Sequence, residues 1–307
     1  RINIMPESIP SRNPLRPVVA LSAGFLFFLS ALTLLFHRDI PDWQVLFLRY
    51  AGAIAAALLC GFIAGGFPRG GASRMLEIIL PVFIILFSFD SMSGLTHFVN
   101  PHAADGALAS LDTSIFGEAP GIMLQPFIRP WLTTILQLCY TSYYAIPIAF
   151  CLMLYFQGRR AEFDRTVFGI VMAFFLSYIG YLLVPALGPR FYLKDAFTAD
   201  LMRGPVASAI DAALNILEGE NWDAFPSGHT MIVLVVLIYA WRIDRRFFRG
   251  ALPFAAGLIL STVYLRYHYA VDVIAGMALA PVSAVISERL FCRLSGNKPQ
   301  DAEHHRA

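Results

Sequence analysis

The sequence predicts an all-α polytopic membrane protein with about eight transmembrane helices. Three observations predict it. Hydrophobic residues fill 57% of the 307 positions, charged residues only 14%, and the mean hydropathy is +0.63; a soluble domain carries roughly 25% charged residues. The apolar residues collect in runs long enough to cross about 30 Å of hydrocarbon. The basic residues gather in alternate connecting segments, as the positive-inside bias requires. The formal net charge of +2 is too small to suggest a nucleic-acid partner, and no nucleic-acid motif accompanies it.

The first run, near 17–36, has a basic flank and is followed by Leu35-Phe36-His37-Arg38 rather than by small residues. It reads as an uncleaved anchor, not a cleaved signal. The second run covers 43–66. The third, 75–92, has Glu77 and Asp90 near its ends and Pro81 inside. The fourth, 131–156, carries Tyr140, Tyr143 and Tyr144, a polar-aromatic stripe that reads as helix packing near an interface. The fifth, 164–187, ends in Leu183-Val184-Pro185-Ala186-Leu187-Gly188-Pro189-Arg190, and the sixth, 230–248, is opened by Pro226-Ser227-Gly228-His229-Thr230. The seventh and eighth, 251–267 and 269–291, have almost no linker, and Arg266, His268 and Asp272 lie at their junction.

An even number of spans puts both termini on one side. The loops of that side hold 16 of the 23 Lys and Arg, including Arg1, Arg12, Arg69, Lys298 and Arg306, and the other side holds seven. Both termini are therefore expected in the cytoplasm. The long loops 92–130 and 188–229, with both polar motifs, are expected to face the periplasm, the exterior or a lumen. Cys60, Cys139, Cys151 and Cys292 fall in or beside apolar runs without metal-ligand spacing, so they read as buried thiols. The polar tail from Ser295 reads as short and mobile.

The two motifs gather two histidines, a carboxylate and an arginine in a chain that is otherwise sparing of polar groups in its apolar runs. Ionisable residues at membrane depth cost about 2.5–3.5 kcal/mol each on insertion scales and commonly mark function. These residues suit phosphoryl transfer. His229 lies at a helix start, where amides and the dipole favour an anion. Ser227 and Gly228 add donors and let a phosphate approach the backbone. Arg190 and Arg266 are expected to clamp phosphate oxygens. His268 and Asp272 stand four apart, on one helical face. The carboxylate can orient the imidazole, which makes His268 the expected nucleophile and His229 the expected proton donor and acceptor. With arginines and a helix start supplying positive charge, neither a metal nor a cofactor is called for.

Pro226-Ser227-Gly228-His229 and His268-x-x-x-Asp272 resemble the second and third signature motifs of the type-2 phosphatidic acid phosphatase superfamily, and Gly188-Pro189-Arg190 resembles the arginine half of the first. Leu111-Asp112-x-x-Ile115-Phe116-Gly117 and Cys139-Tyr140-Thr141-Ser142-Tyr143-Tyr144 are similar to the subgroup that contains inositol phosphorylceramide synthases. Two departures stand out. Leu183 occupies the place of the first motif's lysine, and Ser261-Thr262 stand where the third motif has Ser-Arg. Lys194 is the nearest substitute for the lysine.

The resemblance implies a six-helix phosphatase-type core within a catalytic membrane domain at 75–292. An N-terminal segment with two extra spans, 1–74, would precede it, and a cytoplasmic tail, 293–307, would follow. It implies a membrane enzyme that cleaves a lipid phosphate or pyrophosphate through a phosphohistidine and passes the phosphoryl group to water. The alternative is transfer of a phosphoryl headgroup to an alcohol acceptor. A transporter is the third class, disfavoured by the scarcity of other intramembrane charges. The expected partners are a lipid phosphate, the bilayer and, for transfer, an alcohol. His97 and His102 read as loop histidines, Asp112 as a helix cap, and Asp223 as no substrate contact. In the 92–130 loop, Ile115-Phe116 and Ile122-Met123-Leu124 read as short helices in the headgroup layer that frame lateral entry for a lipid.

Overall fold

The computed structural model describes residues 15–66, 71–218 and 222–296. Arg1, Arg12, Arg69, Lys298 and Arg306, and the tail beyond Gly296, lie outside them. The described residues are helical in twelve α-helices and two single 3₁₀ turns, Gln125–Phe127 and Lys194–Ala196. The helices are α1 (Arg16–Leu35), α2 (Trp43–Gly66), α3 (Gly71–Val99), α4 (Asp105–Phe116), α5 (Pro120–Met123) and α6 (Pro130–Phe156). They continue with α7 (Arg160–Leu183), α8 (Pro189–Tyr192), α9 (Pro205–Glu218), α10 (Gly228–Ile243), α11 (Arg245–Tyr264) and α12 (Ala270–Leu294).

Seven of these, α1, α2, α3, α6, α7, α11 and α12, contain segments long and apolar enough to cross a membrane. The chain is a multi-pass membrane protein. The sixth expected span is the exception. The run 230–248 is cut at Asp244, whose backbone is extended (φ −143°) and whose carboxylate accepts the amides of Arg246 and Phe247, capping α11. That leaves α10 with 16 residues, about 24 Å at 1.5 Å per residue. Ten of them are buried, so α10 meets protein over most of its surface. The fifth span ends at Leu183 rather than 187, because Pro185 and Pro189 lack amide donors and disfavour helix before them. The 92–130 segment holds more helix than expected: α3 continues through Val99, and α4 and α5 follow.

The chain divides into two compact units. One takes its described residues from 1–88, 151–172 and 283–307. Here Val19 of α1 packs on Gly61 of α2, whose missing side chain permits the approach. Arg165 of α7 pairs with Glu288 of α12 at 2.9 Å, and Phe168 meets Phe291 edge-on.

The other unit comprises 89–150 and 173–282 and carries every motif residue. Its core has two clusters. Ile128, Leu136, Tyr140, Leu214, Tyr264, Leu265 and Tyr267 form one; Leu108, Ala186, Ala224, Tyr269 and Val271 form the other. Both contain residues that flank the motifs, so the motif loops are anchored by apolar packing. Helix α9 is amphipathic: Ala207 and Leu214 are buried, whereas Val206 and Ile216 are exposed.

Candidate active site

Three loops, distant in sequence, are stitched together through their main chains. The amide of Ala224 donates to the carbonyl of Ala186 at 3.0 Å, that of Arg190 to Arg266 at 2.9 Å, and that of Ser227 to Asp272 at 3.0 Å. Segments 186–190, 224–229 and 266–272 thus meet in one place. The contact is close at Gly188, which adopts φ +92° and lies against the Tyr267 carbonyl, 2.6 Å from where a Cβ would stand. A side chain there would combine left-handed strain with a backbone clash.

Helix α4 braces this frame with two buried carboxylates. Asp105, 1% exposed, accepts the amides of Leu187 (3.0 Å) and Gly188 (2.9 Å) and the hydroxyl of Tyr269 (2.9 Å). Asp112, 2% exposed, accepts the amides of Ala270 and Val271, each at 2.9 Å. It therefore caps the start of α12 from another helix. Burial pushes the Asp112 carboxyl above its ordinary range, and the two amides oppose the shift. Burial and the neighbouring Asp105 likewise push the Tyr269 phenol up, so it remains a donor.

On this frame the two imidazoles stand with ring centroids 5.7 Å apart at 62°. Tyr143 and Tyr140 pack against His229 with centroids at 4.1 and 4.6 Å, and Tyr140 stacks on Tyr267 at 4.5 Å. His268, 5% exposed, has its Nδ1 2.8 Å from the carbonyl oxygen of Ala224. A carbonyl only accepts, so Nδ1 carries the proton and Nε2 the lone pair. The carboxylate of Asp272 is farther from Nδ1, 3.5 Å, and accepts the amide of Tyr269 at 2.8 Å. The expected Asp272–His268 pair is present, but the Ala224 carbonyl makes the shorter contact with the imidazole.

His229 and His268 line a pocket of about 40 Å³ with Tyr140, Tyr181, Leu187, Arg190, Phe191, Asp223, Ala224 and Tyr267. That is room for about three water-sized groups. A wider cleft of about 360 Å³ is lined by Arg190, Asp200, Leu201, Arg203, Leu265, Arg266 and Tyr267. The two cavities share Arg190 and Tyr267 as walls. The larger cavity is not the one that holds the histidines; both imidazoles line the smaller one.

The expected site residues divide accordingly. His229, His268 and Arg190 line the small pocket. Arg190 donates to Asn215 at 3.0 Å and lies over the ring of Tyr267. Arg266 lines only the wider cleft. Ser227 is fully buried and caps α10: its hydroxyl donates to Thr230 Oγ1 at 3.0 Å and accepts the Thr230 amide at 3.4 Å. Gly228 is the residue that brings α10 against Tyr181, since a Cβ there would collide with the Tyr181 hydroxyl. Lys194 is exposed and lines neither cavity, and Leu183 is exposed. His97 packs against Trp222.

Other contributors were not singled out by sequence. Asp223 and Tyr140, read there as bystanders, line the histidine pocket. Tyr181, Tyr267, Arg203 and the brace Asp105 carry no motif signal. The Leu111-Asp112 resemblance, the reading of Asp112 as a cap and that of Ile115-Phe116 as a short helix pointed towards α4, but not to its bracing contacts. No cluster of three or more His, Cys, Asp or Glu with metal-site geometry occurs among the described residues.

The histidine pocket and the three loops that frame it all lie within the stretch of chain that the PAP2 superfamily profile matches. That profile matches residues 106–286, and the chain belongs to this superfamily. It is an enzyme of the lipid phosphatase and phosphoryl-headgroup transferase class. Among its relatives, a phosphoinositol dihydroceramide synthase of Bacteroides thetaiotaomicron is 25% identical over 94% of this chain and 96% of its own length. A PA-phosphatase related-family protein of Dictyostelium discoideum is 25% identical over 55% of this chain and 33% of its own length. No solved structure matches.

Proposed function

We propose that the protein transfers a phosphorylated headgroup from a phospholipid to a lipid alcohol through a covalent phosphohistidine, at the membrane face opposite the cytoplasm. The observation that carries it is the imidazole pair: two rings 5.7 Å apart, with the His268 proton held on Nδ1 by a carbonyl. In the first half-reaction Nε2 of His268 attacks phosphorus and the P–O bond to the leaving alcohol breaks. His229 gives that oxygen a proton. In the second, His229 takes a proton from the incoming alcohol, whose oxygen displaces His268. Arg190, at the wall of the pocket, neutralises charge on the phosphoryl oxygens. The start of α10 at Gly228 adds the favourable end of its dipole, with Ser227 holding that turn as its cap.

The sequence alone put water ahead of an alcohol as acceptor. Similarity to the synthase from end to end favours the alcohol. Water is the second reading, favoured by the phosphatase-related Dictyostelium protein, although that match covers only 55% of this chain. The catalytic domain is assigned to 75–292, after an N-terminal pair of spans. With the 16-residue α10 counted as an eighth, shorter crossing, the 16-to-7 division of basic residues favours both termini in the cytoplasm.

The test uses purified protein in detergent with phosphatidylinositol or phosphatidic acid, with and without a ceramide, in the presence and absence of a chelator. Transfer yields diacylglycerol together with a new ceramide headgroup lipid; hydrolysis yields diacylglycerol with free inositol phosphate or phosphate. Chelation leaves either rate unchanged. Product formation that collapses with chelator and returns with a divalent cation overturns the metal-independent step.

A further inference from the structure

We propose that the wider cleft is a headgroup chamber with its own anion site. While the phosphorus to be transferred lies between His229 and His268, a second anionic group of the same substrate rests on Arg203 and Arg266. The inference depends on the phosphoryl-transfer reading of the histidine pocket and extends it to a substrate class: phospholipids whose hydroxylated headgroup carries a second negative charge.

The lining supports this. Four of its seven residues are charged: Arg190, Asp200, Arg203 and Arg266. Asp211 stands behind them, 3.0 Å from Arg203, and accepts the Tyr267 hydroxyl at 3.2 Å. Three guanidiniums therefore face two carboxylates, an excess of one positive charge. A wall of this kind repels a cation and offers an acyl chain little apolar surface, whereas about 360 Å³ accommodates a polar ring.

Arg266 is the sharper observation. It is only 9% exposed, yet its Nε has no hydrogen-bond partner. One Nη donates to the Ala199 carbonyl, and the Phe197 ring covers one face of the guanidinium at 3.9 Å. Its backbone sits at φ +68°, and its carbonyl receives the Arg190 amide. A non-glycine residue in that region signals a conformation imposed by its surroundings. The Nε of Arg203 also lacks a partner. Burial and the nearby Arg203 lower the Arg266 pKa, a penalty that an anion between the two would relieve. Because Arg190 and Tyr267 wall both cavities, one headgroup can occupy both.

The experiment compares dioctanoyl phosphatidylinositol with dioctanoyl phosphatidylinositol 4-phosphate in detergent. Dioctanoylglycerol release is read for the wild type, Arg203→Gln and Arg266→Gln. In parallel, binding of inositol 1-phosphate and inositol 1,4-bisphosphate is followed by calorimetry. The wild type is expected to favour the doubly charged lipid about tenfold in kcat/KM, mainly through KM, and to bind the bisphosphate about tenfold more tightly than the monophosphate. Both preferences shrink towards unity in each variant. Equal handling of the two lipids and the two phosphates by the wild type, or a preference that both variants retain, overturns the chamber. If Arg266→Gln does not fold, the partly exposed Arg203→Gln decides. If no lipid is turned over, the phosphoryl-transfer reading fails on its own. Calorimetry still judges the chamber, which falls if Arg203→Gln binds the bisphosphate as tightly as the wild type.

Discussion

The imidazole of His268 is held by a backbone carbonyl more closely than by the carboxylate four residues on. Ala224 O lies 2.8 Å from Nδ1 and Asp272 Oδ2 lies 3.5 Å away. A carbonyl cannot be titrated or mutated, so the tautomer survives loss of the carboxylate. On the proposed phosphohistidine mechanism, His268→Ala and His229→Ala should each lower turnover by about 10³-fold or more, because each would remove a nucleophile or a proton carrier. Asp272→Asn should lower it less, well short of the about 10⁴-fold loss found where an aspartate alone sets the tautomer, since the Ala224 carbonyl still holds Nδ1 and an amide oxygen can still receive the Tyr269 N–H. Steady-state diacylglycerol release measures all three, with thermal unfolding in detergent as the control for folding. Loss in Asp272→Asn equal to that in His268→Ala would return the orienting role to the carboxylate. Sequence spacing located His229, His268 and Asp272, because four-residue spacing and a helix start are local facts. It could not show that the carbonyl of Ala224, 44 positions from His268, makes the closer contact.

At the scale of elements, α4 is the brace on which the site depends. Asp105 ties down the loop before α8 and the Tyr269 hydroxyl, and Asp112 ties down the start of α12. Hydrogen bonds to charged groups contribute about 1.5–3 kcal/mol, and stripping a partner from a buried amide costs about 1–3 kcal/mol. Asp112→Ala should therefore destabilise the protein by about 2 kcal/mol, seen as a lower denaturant midpoint, and reduce kcat more than it raises KM. Asp112→Asn, which keeps one acceptor oxygen, should recover part of both. An Asp112→Ala protein with native stability and native kcat would remove α4 from the frame. The sequence suggested Asp112 as a cap but not whose; its partners lie 158 and 159 residues away. Helix boundaries were read past local signals: hydropathy carried the fifth span beyond Pro185 to 187, whereas α7 stops at Leu183. They were obscured at Asp244, a single polar cap inside a continuous apolar run.

At the scale of the whole molecule, hydropathy revealed the membrane class and nearly every span, because burial in lipid is a property of long windows. The arginine-lined cleft was invisible to that reading: Arg190, Arg203 and Arg266 are separated by ordinary stretches, and only folding gathers them. The 92–130 segment exposes Ile115, Phe116, Met123 and Phe127, whereas Leu124 packs against the core cluster of Tyr140 and Tyr267. Phe116→Asp with Phe127→Asp is thus a cleaner probe of entry than any change at Leu124. The pair should slow turnover of a long-chain phospholipid several-fold more than that of its dioctanoyl analogue, and equal slowing of both counts against lateral entry. Orientation is tested with Lys194→Cys, an exposed position. A membrane-impermeant maleimide should label it from outside intact cells, and labelling only after lysis would reverse the assigned topology.

The main-chain stitches among 186–190, 224–229 and 266–272 carry a consequence for divergence within the superfamily. Peptide groups are common to all residues, so a scaffold sewn by them is indifferent to which side chains decorate it. A basic side chain in place of Leu183 would leave the peptide hydrogen bonds among these segments untouched, since none of them involves that residue, so charge around the pocket can be altered without moving the imidazoles.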